Sequence, residues 1–90
     1  MIIPLVRVHL RYFASIRVTL GRREEALELP DGTSVAGVWE RLIAECPRLR
    51  DQRYRPAVNQ EYMDSSTVLH DGDELVFIPP VSGGTPGEQR

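Results

Sequence analysis

The chain contains no lysine; all eleven of its basic residues are arginine. No side-chain amine is therefore available on it to form an isopeptide bond. Cysteine occurs once, at Cys46, which excludes an intramolecular disulfide and any cysteine-rich metal site. Histidine occurs twice, and neither His9 nor His70 has a cysteine or a second histidine at ligand spacing. No apolar run approaches the roughly 18 residues that a membrane-spanning helix needs. The start, Met1-Ile2-Ile3-Pro4-Leu5, lacks the basic segment and long apolar core of a signal peptide. A cytoplasmic location and no membrane partner are expected. The arginines are interspersed with acids, for a net charge of -2, so no basic stripe exists to follow a nucleic-acid backbone. No nucleic-acid partner is expected.

What is present is an ordinary globular composition, 41% hydrophobic and 27% charged over 90 residues, enough for one domain. A chain of this size buries about 60–65% of its unfolded surface, a modest core that can form unaided. Residues 1–81 read as the folded domain and residues 82–90 as a flexible tail. Val6, Val8, Leu10 and Tyr12 alternate with Arg7, His9, Arg11 and Phe13, which predicts a strand with one buried face. Phe13 falls on its polar side and either turns in at the strand end or stays exposed. Ala14 to Leu20 reads as a turn or short helix closed by Gly21. Glu25 to Leu29 resumes strand periodicity and ends in Pro30-Asp31-Gly32.

Thr33 or Ser34 is a natural helix N-cap. Beyond it, Val35, Val38, Trp39, Leu42, Ile43 and Cys46 fall on one face of a three-turn helix, which Pro47 cannot continue. Trp39 is expected to be its largest contribution to the core. Leu49 to Arg55 reads as a charged loop with an extra turn. Pro56 to Met63 reads as one short strand, Thr67-Val68-Leu69 as an edge segment, and Glu74 to Ile78 as the final strand. The order predicts an α+β domain: a mixed four- to five-stranded sheet with one main helix packed across it. If the first and last strands are central neighbours they run parallel, with the helix in the crossover. This is the β-grasp arrangement of ubiquitin-like domains.

Enzyme-like constellations are weak. Cys46 lies on an apolar helix face, where a small buried residue is the default. Asp71, Asp73 and Glu74 read as a polar turn rather than a cation site, and the glycines lack the context of a phosphate loop. The last strand carries more. Leu75 and Phe77 point to one side, Val76 and Ile78 to the other, and both pairs are apolar. One pair meets the helix. The other is either shielded by side chains of neighbouring strands or forms a partner-binding patch, extended by Phe13 and Val81. Pro79-Pro80 stiffen the exit, and Gly83-Gly84 lack the Cβ that would keep backbone out of a narrow slot. A glycine-rich loop without a role fits the composition equally well.

Together these residues resemble a known family. Asp71-Gly72-Asp73-Glu74, Val76-Phe77-Ile78-Pro79-Pro80-Val81-Ser82-Gly83-Gly84, Tyr12-Phe13-Ala14 and Ala57-Val58-Asn59-Gln60 are similar to the signature of the small subunit of molybdopterin synthase, a ubiquitin-like sulfur carrier. The resemblance implies that a C-terminal glycine carboxylate, here of Gly84, is adenylated by an E1-like, ATP-dependent enzyme. A sulfur donor then converts it to a thiocarboxylate. Gly83 lets the tail enter the large synthase subunit, which receives the sulfur. The chain would be a non-catalytic subunit that binds no cofactor, ATP being used by the adenylating partner. Phe13, Val76, Phe77, Ile78, Pro80 and Val81 are implied candidates for contact with the large subunit or the adenylating enzyme. One departure is plain: Gly84 is in peptide linkage to Thr85, so the chain as written is a precursor from which a peptidase removes residues 85–90, or it has lost carriage and kept only binding, or the extension is foreign to the natural protein; processing is the expected case. Carriage for another pathway, protein modification, and a β-grasp interaction module without covalent chemistry are the alternatives.

Overall fold

The computed structural model describes residues 2–80. The inferred tail, with Gly83 and Gly84, and the candidate contact Val81 lie outside the described residues. Alternation makes β1 over Leu5–Tyr12, with Val6, Val8, Leu10 and Tyr12 all buried and the residues between them exposed. The ambiguous segment after it is a helix, α1 (Ala14–Leu20), which tucks Ile16 into the core. Gly21 ends it at φ 76, the left-handed conformation that glycine adopts without cost, and its N–H donates to the Arg17 carbonyl. β2 runs over Glu24–Pro30, antiparallel to β1.

The main helix α2 covers Val35–Glu45. Of the two candidate caps it is Ser34 that serves: its hydroxyl accepts from the Gly37 N–H at 3.2 Å. Val35, Val38, Trp39, Leu42 and Ile43 form the buried stripe. Cys46 is the C-cap, half-buried, and Pro47 opens a 3-10 turn over Pro47–Asp51 that sets Leu49 into the core. The extra turn in the charged loop is this element.

The segment Pro56 to Met63 differs from the single strand expected. It is a hairpin, β3 (Arg55–Val58) and β4 (Glu61–Tyr62), joined by Asn59 and Gln60 alone. Both have positive φ, 51 and 72, the pattern of a type I′ turn, whose twist matches that of the flanking strands. The segment Thr67–Leu69 contributes only a bridge between Val68 and Ser34, while Leu69 is buried. β5 spans Glu74–Ile78 and stops where the two prolines begin.

The sheet has five strands in the order β2-β1-β5-β3-β4. β1 and β5 are parallel central neighbours, paired from His9 with Glu74 to Tyr12 with Phe77, and α2 lies in the connection between them. β3 runs antiparallel to β5. One face of the sheet meets α2 and α1; the other is bare among the described residues. This is the β-grasp fold. No described helix is long and apolar enough to cross a membrane.

The core centres on an aromatic cluster. The Phe77 ring lies 5.0 Å from Trp39 and 5.0 Å, edge-on, from Tyr54, and Trp39 and Tyr54 are 4.3 Å apart. Such pairs add about 0.5–1.5 kcal/mol each beyond the area they bury. Phe77→Ala should therefore cost about 3–5 kcal/mol of unfolding free energy in urea titration. Ser34→Ala, which loses only the cap, should cost about 1 kcal/mol.

Candidate functional site

β5 decides which side chains are available. Its residues alternate, and the aromatic cluster takes Leu75 and Phe77 to the helix side. Phe77 is 0% exposed, so its place among the candidate contacts is corrected: it is core and cannot touch a partner. Val76 and Ile78 face the bare side. Val76 is only 9% exposed, with Ala57 directly opposite it on β3. The shielding expected of a central strand is thus real for Val76. It does not extend to Ile78, which is half-buried, or to Phe13, which is 43% exposed.

Phe13 is held at this position by backbone. Its N–H donates to the Phe77 carbonyl at 3.3 Å, and its own carbonyl receives the first turn of α1. The ring therefore stays outside, beside the end of β5, and does not turn in. Tyr62, 63% exposed, joins the same face because Ala57 pairs with Tyr62 on one side and with Val76 on the other. With Gln60 these side chains enclose an open hollow of about 320 Å³. Its charged rim is ordered: the Arg11 guanidinium lies 5.6 Å from the Phe13 ring centre and 4.0 Å from Glu74, and that of Arg55 lies 4.4 Å from the Tyr62 ring centre. Arginine stacked on an aromatic keeps its charge exposed while its planar head covers apolar surface. Pro80 is exposed at the strand exit, next to Ile78.

The face is therefore assembled from β1, β3, β4 and β5. Phe13, Val76, Ile78 and Pro80 were singled out from the sequence; Tyr62, Gln60 and the two arginines were not. The signal that could have found them was Asn59-Gln60 read as a two-residue turn, since that places Tyr62 opposite Ala57.

The other candidate chemistry is absorbed by structure. Asp71 accepts from the Arg7 N–H at 2.8 Å. Asp73 accepts from the His70 N–H at 2.7 Å and from the Asn59 amide at 2.9 Å. These acids organise the turn before β5, and no group of three metal-binding side chains occurs among the described residues. His9 pairs with Glu24 at 2.8 Å on the exposed side of β1. On the helix side, the Tyr12 hydroxyl donates to Glu25, and Arg22 ties Glu25 to Glu45 at the end of α2. Burial, reinforced by the bond to Glu25, pushes the Tyr12 phenol well above its usual range. It stays a neutral donor that joins β1 to β2, while Arg22 makes the link to α2. Nothing among these groups resembles a nucleophile paired with a base.

What the geometry offers is a binding face whose upper end adjoins the exit of the chain from the sheet. The ThiS family model matches residues 10–84, ending on the second glycine of the pair. The molybdopterin synthase sulfur carrier subunit of Mycobacterium tuberculosis is 42% identical, over 89% of this chain and 100% of that one. A Pyrococcus furiosus structure provisionally named molybdopterin converting factor, subunit 1, superposes with a TM-score of 0.77 at 30% identity, covering 84% of this chain and 99% of that one. A complex of subunits 1 and 2 of the molybdopterin-converting factor from Helicobacter pylori shares the fold, with a TM-score of 0.61 at 22% identity over 88% of this chain and 100% of that one. The chain belongs to the ThiS family, among the molybdopterin synthase sulfur carrier subunits.

Proposed function

We propose that the chain carries sulfur for molybdopterin synthesis as a thiocarboxylate on Gly84. The observation that carries this reading is the placement of the family match. It ends at Gly84, four residues beyond the last described residue, and Pro80 leaves the sheet beside the apolar face. Covalent geometry limits four residues to a reach of about 14 Å. A partner that receives Gly84 in its active site must then cover the end of β5, where Phe13 is exposed and Ile78 half-buried. That partner is the large subunit of the synthase, as subunit 2 stands to subunit 1 in the Helicobacter pylori complex.

The chemistry follows from the carboxylate. Its oxygen attacks the α-phosphate of ATP on an E1-like adenylating enzyme, and pyrophosphate leaves. Sulfide-level sulfur from a donor then attacks the acyl carbon of the mixed anhydride, and the C–O bond to AMP breaks as the C–S bond forms. The tail enters the large subunit, where the thiocarboxylate sulfur displaces an oxygen substituent from a carbon of the pterin precursor, and water then cleaves the C–S bond to Gly84, so that the sulfur stays on the precursor and Gly84 returns as carboxylate. The chain contributes no acid or base to these steps and binds no cofactor of its own. Its work is to present one carboxylate and to dock, in the cytoplasm, on two partners in turn.

An amide cannot be adenylated in this way, so Thr85 to Arg90 are removed by a peptidase first. Intact mass spectrometry of the protein from native cells should find a chain ending at Gly84, with a fraction in which one oxygen is replaced by sulfur. Finding only the ninety-residue form would count against processing. Removing Gly84 from a chain that ends there should abolish sulfur transfer with no change in thermal stability; retained transfer would sink the carrier assignment. Truncating Phe13 and Ile78 together to Ala should weaken the complex with the large subunit by about 2 kcal/mol or more, read by calorimetry.

A further inference from the structure

The turn between β3 and β4 has a residue that local structure does not favour. Three non-glycine residues among those described have positive φ: Ala14, Asn59 and Gln60. Of the three, Gln60 lines the hollow on the open face. Asn59 is accounted for. Asparagine tolerates the left-handed region, and both ends of its amide are used: Nδ2 donates to Asp73 at 2.9 Å, and Oδ1 accepts from the Glu74 N–H at 3.0 Å. That pair of bonds pins the hairpin to the start of β5.

Gln60 has no such account. Its φ of 72 is the second central position of a two-residue turn, where glycine is the favoured residue. Its carboxamide bonds to no other described residue, and it lines the hollow with Val76 and Ile78. The nearby charges Arg11 and Glu74 are already turned toward each other at 4.0 Å. Strained non-glycine residues persist where function holds them, and here the strained backbone carries a free hydrogen-bonding head into the docking face.

We propose that Gln60 is a specificity-determining residue for the large synthase subunit. A carboxamide sets one donor and one acceptor side by side, and a backbone peptide group of the partner complements both. In a mainly apolar hollow, an unpaired carboxamide is costly once water is excluded. A partner with the matching peptide group gains the bonds, and one without it is rejected. The inference rests on the docking face assigned above.

The test uses the protein as purified from its native host, with affinity for the large subunit read by calorimetry and stability by thermal unfolding. Gln60→Gly and Gln60→Ala should each lose about tenfold in affinity, in line with an unpaired interfacial group. Gln60→Gly should leave the melting temperature unchanged or raise it, because the turn is relaxed. Three results overturn the proposal: Gln60→Gly binding as the unaltered chain does, loss of affinity in Gln60→Gly but not in Gln60→Ala, or loss in both matched by a fall in melting temperature in both. The Phe13→Ala, Ile78→Ala double variant separates the two levels. If it binds weakly while the Gln60 variants bind normally, the face stands and the role of Gln60 falls. If it too binds normally, the face itself falls.

Discussion

The aromatic cluster of Phe77, Trp39 and Tyr54 fixes the orientation of β5, and the rest of the molecule follows from that orientation. Side chains in a strand alternate, so seating Phe77 against the helix sends Val76 and Ile78 to the other side. Parallel pairing with β1 then sets Tyr12 beside Phe77 inside and Phe13 beside the strand end outside. A slip of one residue in this register would bury Ile78 and expose Phe77, moving a large ring into water. The docking face and the core are thus two consequences of one packing choice.

The two faces are built to different standards. On the helix side, Leu10, Leu42, Leu75 and Phe77 are fully enclosed, and the polar groups that enter, Tyr12 with Glu25 and Arg22, are paired. On the bare side Val76 and Ala57 are buried but Phe13 and Tyr62 stay exposed, and Gln60, with positive φ, lines the hollow between them. Arginines lie against the exposed Phe13 and Tyr62 rings and keep the patch compatible with water until a partner replaces them. A well-packed scaffold thus lies beneath a surface that keeps exposed apolar rings.

Much of this was legible in the sequence, because much of it is local. Period-two alternation gave β1, and the apolar stripe from Val35 with Ser34 before it and Pro47 after it gave α2 nearly to the residue. The parallel direction followed once the first and last strands were taken as central neighbours with the helix in the crossover, and the structure pairs them so. The turn acids, the double proline and the glycine pair were recognisable as a family signature that the comparisons bear out. The hairpin at Asn59-Gln60 was missed because neither residue is glycine, the usual sign of left-handed turn backbone.

By itself, then, the sequence determined most of the elements and their order, since each depends on neighbours along the chain. It did not determine which side of β5 faces the partner. A strand apolar on both sides carries no alternation to read, so Phe77 and Ile78 were equivalent as text. Only the aromatic cluster, which joins residues from α2, the segment before β3, and β5, broke that equivalence. The same holds for Tyr62, Gln60, Arg11 and Arg55: they belong to one surface because β4, β3, β5 and β1 lie near one another in space, an adjacency that sheet pairing creates and sequence separation conceals.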